Sequence, residues 1–348
     1  MRQNRWRSLI AAIALLGGVT ACDYIHDDLE PCPCGLYLAF QYDYNLQRAD
    51  MFDDHVGSVT AYIFDDEGNF LFSRTESGDV LKQPGYRMKL DLSPGSYRYI
   101  ALAGNRPLTE MQADKRGARF RLTEPKEGDA MEKLSLTLDH GADGLIPHEG
   151  LPLDTLWHGM STRPVVVLEQ RETVDTCSLV RDTKQINVVL RDLDDPAATD
   201  VADFDFRIYD RNTRLEYDNR VDESAPALYT PYAAWNTTDR DGTTEGRMAH
   251  TDFMTSRLIY HDKAADDGIL SITSRKSGAE VVRVNLPDLL SRLRTSSEVA
   301  SYAPQEFLDR GYDYRLVFFL KGGRWEYVNI EMSVLGWAKR IQREDIVL

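Results

Sequence analysis

The chain has 348 residues, 42 % hydrophobic and 10 % aromatic, with 41 Lys and Arg against 56 Asp and Glu and a formal net charge of −15. The length accommodates roughly two domains. The acidity excludes nucleic acid as a partner, because phosphates call for clustered Lys and Arg, and it opposes direct adsorption to an anionic membrane surface.

Arg2, Arg5 and Arg7 form a basic head, Leu9 to Ala21 an uncharged run, and Val19-Thr20-Ala21-Cys22 a small-residue site closing on a cysteine. That order marks a secretory signal over residues 1–21, whose apolar run is too short to span a bilayer. Val-Thr-Ala-Cys resembles a bacterial lipobox, in which the thiol is acylated and the chain is cut just before it. The expected mature chain starts at Cys22, which carries diacylglycerol and a fatty acyl group; no other cofactor is expected. Loss of residues 1–21 removes three arginines and no acid, taking the charge from −15 to −18. Residues 22–34 (DYIHDDLEPCPC from residue 23 on) are acidic and carry two prolines, so they read as a tether. His26 beside Asp27 and Asp28 reads as solvated linker rather than metal site. Three more thiols remain, Cys32, Cys34 and Cys177, in an oxidising compartment. Cys32-Pro33-Cys34 is too tight for a C-x-x-C motif, and one of that pair is expected to bridge to Cys177.

The first strand is expected over Gly35 to Tyr44, with Leu36, Leu38, Phe40, Tyr42 and Tyr44 as its apolar face. A hairpin follows: Ser58 to Phe64, the turn Asp65-Asp66-Glu67-Gly68-Asn69, then Phe70 to Ser73. The turn acids lack the spacing of a calcium loop. Further strands are expected at Tyr86 to Leu92, Ser96 to Ala103, Leu134 to Leu138 and Pro164 to Gln170. A second cycle starts near Leu179, with Ile186, Val188 and Leu190 alternating. Asp203 to Asp210 then turns into Arg214 to Tyr217 and reads as a second hairpin like that of Val59 to Phe72. Strands are also expected at Thr255 to His261, Gly268 to Ser274 and Ala279 to Asn285. Pro287 with Leu289, Leu290 and Leu293 predicts one short helix. Tyr312 to Leu320 meets Trp325 to Val334 across Lys321-Gly322-Gly323-Arg324, a hairpin by glycine chemistry. Short strands, tight turns and abundant aromatics predict an all-β chain of antiparallel sandwiches, one over 35–178 and one over 179–348.

A search for chemistry finds no phosphate loop, no G-x-S-x-G elbow and no H-E-x-x-H. His140, His148 (next to Glu149) and His158 are spread over loop-like stretches. The acid pairs Asp27/Asp28, Asp53/Asp54, Asp194/Asp195 and Asp266/Asp267 sit in turns or linkers, where no apolar pocket raises a carboxyl pKa. No enzyme is expected.

Several stretches together resemble one family, the fimbrial anchor lipoproteins of type V fimbriae (the FimB/Mfa-type anchor family). They are Cys22-Asp23 with Asp27-Asp28-Leu29-x-x-Cys32, the strand Leu36-x-Leu38-x-Phe40-x-Tyr42, Val59 to Asp65 with Gly68, and Leu92-x-Pro94-Gly95-x-Tyr97. In the second half they are Ile186-x-Val188-x-Leu190, Phe204-x-Phe206-x-Ile208, Gln305 to Arg310, Tyr312-x-Tyr314 and Gly336-Trp337. Gly311 departs from the pattern, standing where a strand-favouring residue is expected. The resemblance implies two tandem transthyretin-like sandwiches on a lipidated tether at the outer membrane. It implies a function of holding a fimbrium to the cell surface and limiting its length, with a stalk subunit and accessory fimbrial subunits as partners. It further implies that the strand Leu36 to Tyr44 stays in its own groove, and that a cut after an arginine such as Arg48 would release the fimbrium. Docking of the stalk is then assigned to the C-terminal tail, through Trp337, Ile341, Ile346 and Leu348; the other reading of this tail is that it completes the second sandwich. The other readings are an accessory or tip fimbrial subunit, and a surface lipoprotein of a nutrient uptake system that binds glycan on Trp157, Trp235 and Tyr232.

Overall fold

The computed structural model describes residues 35 to 341, apart from 170, 242–243, 263–267 and 335–336. In chain order the first half holds β1 (Gly35–Gln41), the one-turn helix α1 (Phe52–His55), β2 (Ser58–Asp65), β3 (Phe70–Ser77), β4 (Met88–Leu90) and β5 (Gly95–Gly104). After α2 (Leu108–Ala113) follow β6 (Phe120–Thr123), β7 (Ser135–Leu138), β8 (Leu156–Met160), β9 (Val165–Val167), β10 (Glu172–Ser178) and β11 (Val180–Arg181). Two sheets pack face to face, β10-β1-β4 against β11-β8-β5-β2-β3, with β9 alongside β5. The expected alternation supplies the core between them. Leu36, Leu38, Phe40 and Tyr42 from one sheet meet Val59, Ala61, Ile63, Tyr99 and Trp157 from the other. Each such buried side chain contributes about 1.5–3 kcal/mol relative to exposure.

The second half continues with β12 (Lys184–Asp192), β13 (Phe204–Asp210), β14 (Arg214–Glu216), β15 (Val221–Asp222), β16 (Ala227–Tyr229), β17 (Ala233–Asp241) and β18 (Thr244–Thr255). Then come β19 (Ile269–Ser274), β20 (Glu280–Asn285), α3 (Leu286–Ser291), α4 (Pro304–Arg310), β21 (Asp313–Lys321), β22 (Arg324–Val334) and β23 (Trp337–Ile341). A six-stranded sheet, β17-β18-β12-β21-β22-β23, faces a four-stranded one, β16-β13-β19-β20. Ile186, Val188, Leu190, Leu316 and Phe318 fill the space against Phe206, Ile208, Leu270 and Ile272. The closing hairpin β21–β22 turns on Gly322 and Gly323, both at positive φ (61° and 72°), a backbone that costs glycine nothing.

Four expectations are corrected. Asp203 to Tyr217 is not a hairpin: β13 pairs with β16 and β19, whereas β14 crosses to β7 and β15. Buried Asn212 causes the crossing. Its Nδ2 donates to Asp210 Oδ2 at 2.9 Å and to Arg257 O at 3.1 Å, and its Oδ1 accepts from Tyr229 OH at 2.7 Å. These bonds pin the connection in place of a tight turn, and the resulting sheet β15-β14-β7-β6 draws strands from both sides of residue 179. Residues 256–261 are irregular, and the strand lies before them as β18, paired with β17 over Thr244 to Asp252 and with β12 over Ala249 to Thr255. The predicted helix is α3, capped by Asn285 Oδ1 accepting from Asp288 N at 2.8 Å, but α1, α2 and α4 accompany it. Finally, β10 pairs with β1 in parallel, so the first sheet is not wholly antiparallel.

Candidate functional site

The first strand is where any tether from Cys22 must enter the fold, and its surroundings define the site. Gly35 sits at φ 134°, and a Cβ there would meet Leu90 O at 2.8 Å, so only glycine fits where the chain enters. All seven residues of β1 are in parallel register with β10, from Gly35↔Glu172 to Gln41↔Ser178, and Leu36 to Leu38 pair on the other side with β4. β1 is therefore an interior strand with its apolar face fully covered.

Past Gln41 the chain docks on the second half. Tyr42 is fully buried, edge-on to Trp157 at 5.8 Å and tilted against Tyr312 at 6.4 Å between ring centroids. Arg310 lies over the Tyr44 ring at 3.9 Å and the Tyr302 ring at 4.7 Å, close enough for cation–π attraction. Arg48, at φ 54°, donates from Nε to Tyr302 OH at 2.9 Å and from its guanidinium to Glu298 O. The candidate cleavage residue is thus solvent-exposed yet held against the second half.

Behind these contacts lies a buried polar cluster. Lys184 is fully buried, and its Nζ donates to three carbonyls: Arg181 at 3.0 Å, Asp309 at 3.1 Å and Gly311 at 2.8 Å. Burial drives the Lys184 ammonium down and the Asp182 carboxyl up, both toward neutrality. Asp182 accepts from Asn219 Nδ2 at 2.8 Å. Arg257 grips Asp309 through Nε and Nη2, each at 2.8 Å, and also donates to Asn219 O. Arg181 lies over the Tyr312 ring at 4.3 Å and the Trp157 ring at 5.6 Å. Gly311 now has a reason: a Cβ there would come within 2.0 Å of Tyr314 OH. The cations Arg181, Lys184 and Arg257 each find a partner carbonyl, carboxylate or ring, as buried charge requires, whereas Asp182 Oδ2 and Tyr314 OH are buried with no hydrogen-bond partner.

The candidate catalytic and metal residues do not converge. Exposed His140 bonds its neighbour Gly141 O, and His148 bonds Thr230 Oγ1 at 3.1 Å. His158, on β8, is buried and bonds Tyr217 O across the junction at 2.8 Å. Among the described residues no three His, Cys, Asp or Glu side chains are grouped to hold a metal, and no helix is long and apolar enough to cross a membrane. The glycan platform disperses too. Trp157 is 1 % exposed in the core, whereas Trp235, 39 % exposed, stacks on His250 at 5.2 Å. Among the described residues Cys177 has no disulfide partner; it has no exposure, and burial pushes its thiol pKa up to about 12. It lies opposite Phe40, five residues along β1 from Gly35 and roughly 17 Å away at strand rise. Cys22, Cys32, Cys34, His26, Ile346 and Leu348 lie outside the described residues. Trp337 and Ile341 begin and end β23, in register with Val334 and Ile330 of β22.

His158 gives the junction a pH signature. Burial pushes its imidazole down to about 4, from an ordinary value near 6.5. Between those values the unfolded chain takes up a proton that the folded chain refuses. Stability from this group is therefore complete above pH 6.5 and falls by about 3 kcal/mol as pH drops toward 4. Urea midpoints at pH 7 and pH 4.5 should separate widely for the native chain and less for His158→Gln. Equal separations would exclude this origin.

The comparisons with known proteins follow the same outline. A family model described as fimbrillin-A associated anchor proteins Mfa1 and Mfa2 matches residues 29–343. The chain is similar to a candidate adhesin from Bacteroides thetaiotaomicron VPI-5482 at 29 % identity and a TM-score of 0.74, over 90 % of this chain and 100 % of that one. A candidate polysaccharide-binding protein from the same strain matches at 29 % identity and 0.71, over the same shares of 90 % and 100 %. The fimbrial anchor protein Mfa2 from Porphyromonas gingivalis shares the fold at 16 % identity and 0.60, over 88 % of this chain and 99 % of that one. No curated protein matches.

Proposed function

The chain belongs to the fimbrillin-A associated anchor family, and on that premise we propose that it is the lipid-tethered base of a fimbrium, held at the outer membrane through Cys22. The observation that carries this reading is the state of β1. A stalk subunit that receives a neighbour's strand must present an open groove, whereas here β1 occupies its own groove in register with β10 and β4. Such a subunit can end a chain of strand exchanges but cannot accept one through this sandwich, which suits a base that limits growth. The membrane-facing end is then the Gly35 end of β1, and the stalk-facing end belongs to the second half.

The docking element is the segment after Ile341. Trp337 to Ile341 are used by the fold as the terminal strand β23, which shortens the donor segment assigned from sequence to residues 342–348, with Ile346 and Leu348 as its apolar anchors. Adding as a strand to the first stalk subunit, it would draw affinity from main-chain bonds and specificity from those side chains. Deleting residues 342–348 should leave a folded, membrane-bound protein and release fimbriae into the medium. Fimbriae that stay cell-bound would refute the tail as the docking element.

A further inference from the structure

We propose that the parallel pair β1–β10 is a mechanical clamp, built so that a pull on the fimbrium loads its hydrogen bonds in shear. The load rests on the anchoring reading above; the geometry does not. A tether pulls on β1 from its N-terminal end, at Gly35. The second half pulls on β10 from its C-terminal end, because the chain leaves Ser178 through β11 directly into β12, a central strand of the six-stranded sheet. The two strands run parallel over seven residue pairs. Pulling one parallel strand by its start and the other by its end slides them along each other. Every ladder bond is then strained at once, and separation requires breaking them together. Pulling both strands from the same end would open the bonds one after another, each under the full force.

The surroundings reinforce this arrangement. At the loaded end of β10, Leu179 N donates to Gln41 O at 2.8 Å and Ser178 Oγ to Asp43 Oδ1 at 2.7 Å, continuing the ladder past the register. Tyr99 OH donates to Asp175 Oδ2 at 2.8 Å, tying β10 to β5 of the facing sheet. β4 grips β1 from its other side at Leu36 to Leu38. Leu36 and Leu38 have no exposure, so sliding by one residue would turn buried side chains outward. Two of the ladders are parallel, β12–β21 inside the six-stranded sheet and β1–β10 here, where the parallel pairing supplies the shear direction.

The test is single-molecule stretching of the unlipidated mature chain with Cys32 and Cys34 replaced by serine. In one arrangement the handles are the Cys22 thiol and the C-terminus; in the other they are Cys22 and an Arg171→Cys thiol at the start of β10. The first arrangement shears β1 from β10 and the second peels them apart. Rupture force should be roughly two-fold or more higher in shear, since bonds sharing a load fail more slowly than bonds taken singly. A third sample carries Tyr37→Cys and Val174→Cys, directly opposed in the register and within disulfide reach at strand spacing. Oxidation of that pair should abolish the shear rupture, and reduction should restore it. Equal forces in the two arrangements, or a rupture indifferent to the cross-link, would overturn the clamp. Neither outcome bears on whether the chain anchors fimbriae in cells, which fractionation decides separately.

Discussion

Asp309→Ala is expected to destabilise the protein by about 3–5 kcal/mol, the cost of stranding a buried charge. Asp309 is 6 % exposed and receives two guanidinium bonds from Arg257, which also donates from Nη1 to the Asn219 carbonyl. Removing the carboxylate leaves that guanidinium desolvated with one partner. It also removes the acceptor of Gln305 Nε2, 3.1 Å away, which helps seat α4 against Leu258 O. Arg257→Met with Asp309→Leu takes out both charges together and should cost markedly less than Asp309→Ala, because no charge is left unpaired. Urea denaturation of the three variants measures the difference. A single variant within about 1 kcal/mol of the native chain would show that water reaches the pair and that the cluster does not hold the junction.

The same cluster marks the boundary of what the sequence conveys. Strands with a clean alternation were legible: Leu36, Leu38 and Phe40, or Ile186, Val188 and Leu190, are buried as the two-residue period requires. The β17–β18 hairpin was not, because Trp235 to Asp241 and Thr244 to Thr251 mix polar residues on both faces at the side of a sheet. The crossing of β14 escaped for another reason. Arg211-Asn212-Thr213 has turn composition, and only the buried partners of Asn212 show that the chain passes through rather than turning back. Nothing local in the sequence marks Lys184 or Asp182 as buried; Lys184 is held by carbonyls more than a hundred residues away, in α4 and after it, and Asp182 by the side-chain amide of Asn219. Gly311 looked like a fault in a strand and is instead the space that Tyr314 occupies. The proposed lipidation signal, in contrast, would be read by processing enzymes rather than by the fold, so it is written wholly in local sequence.

That message is the centre of the account, and Cys22→Ser tests it. Removing the thiol removes the proposed site of acylation, while β1 begins thirteen residues later at Gly35 and should be unaffected. A lipid chain contributes about 0.8 kcal/mol per buried methylene, so losing all acyl groups should eliminate membrane retention rather than weaken it. The deciding measurement is the fraction of fimbrial protein that sediments with cells expressing Cys22→Ser in place of the native chain. The account predicts that nearly all of it moves to the medium, with the variant still folded. Fimbriae that sediment with the cells as they do for the native chain would contradict it.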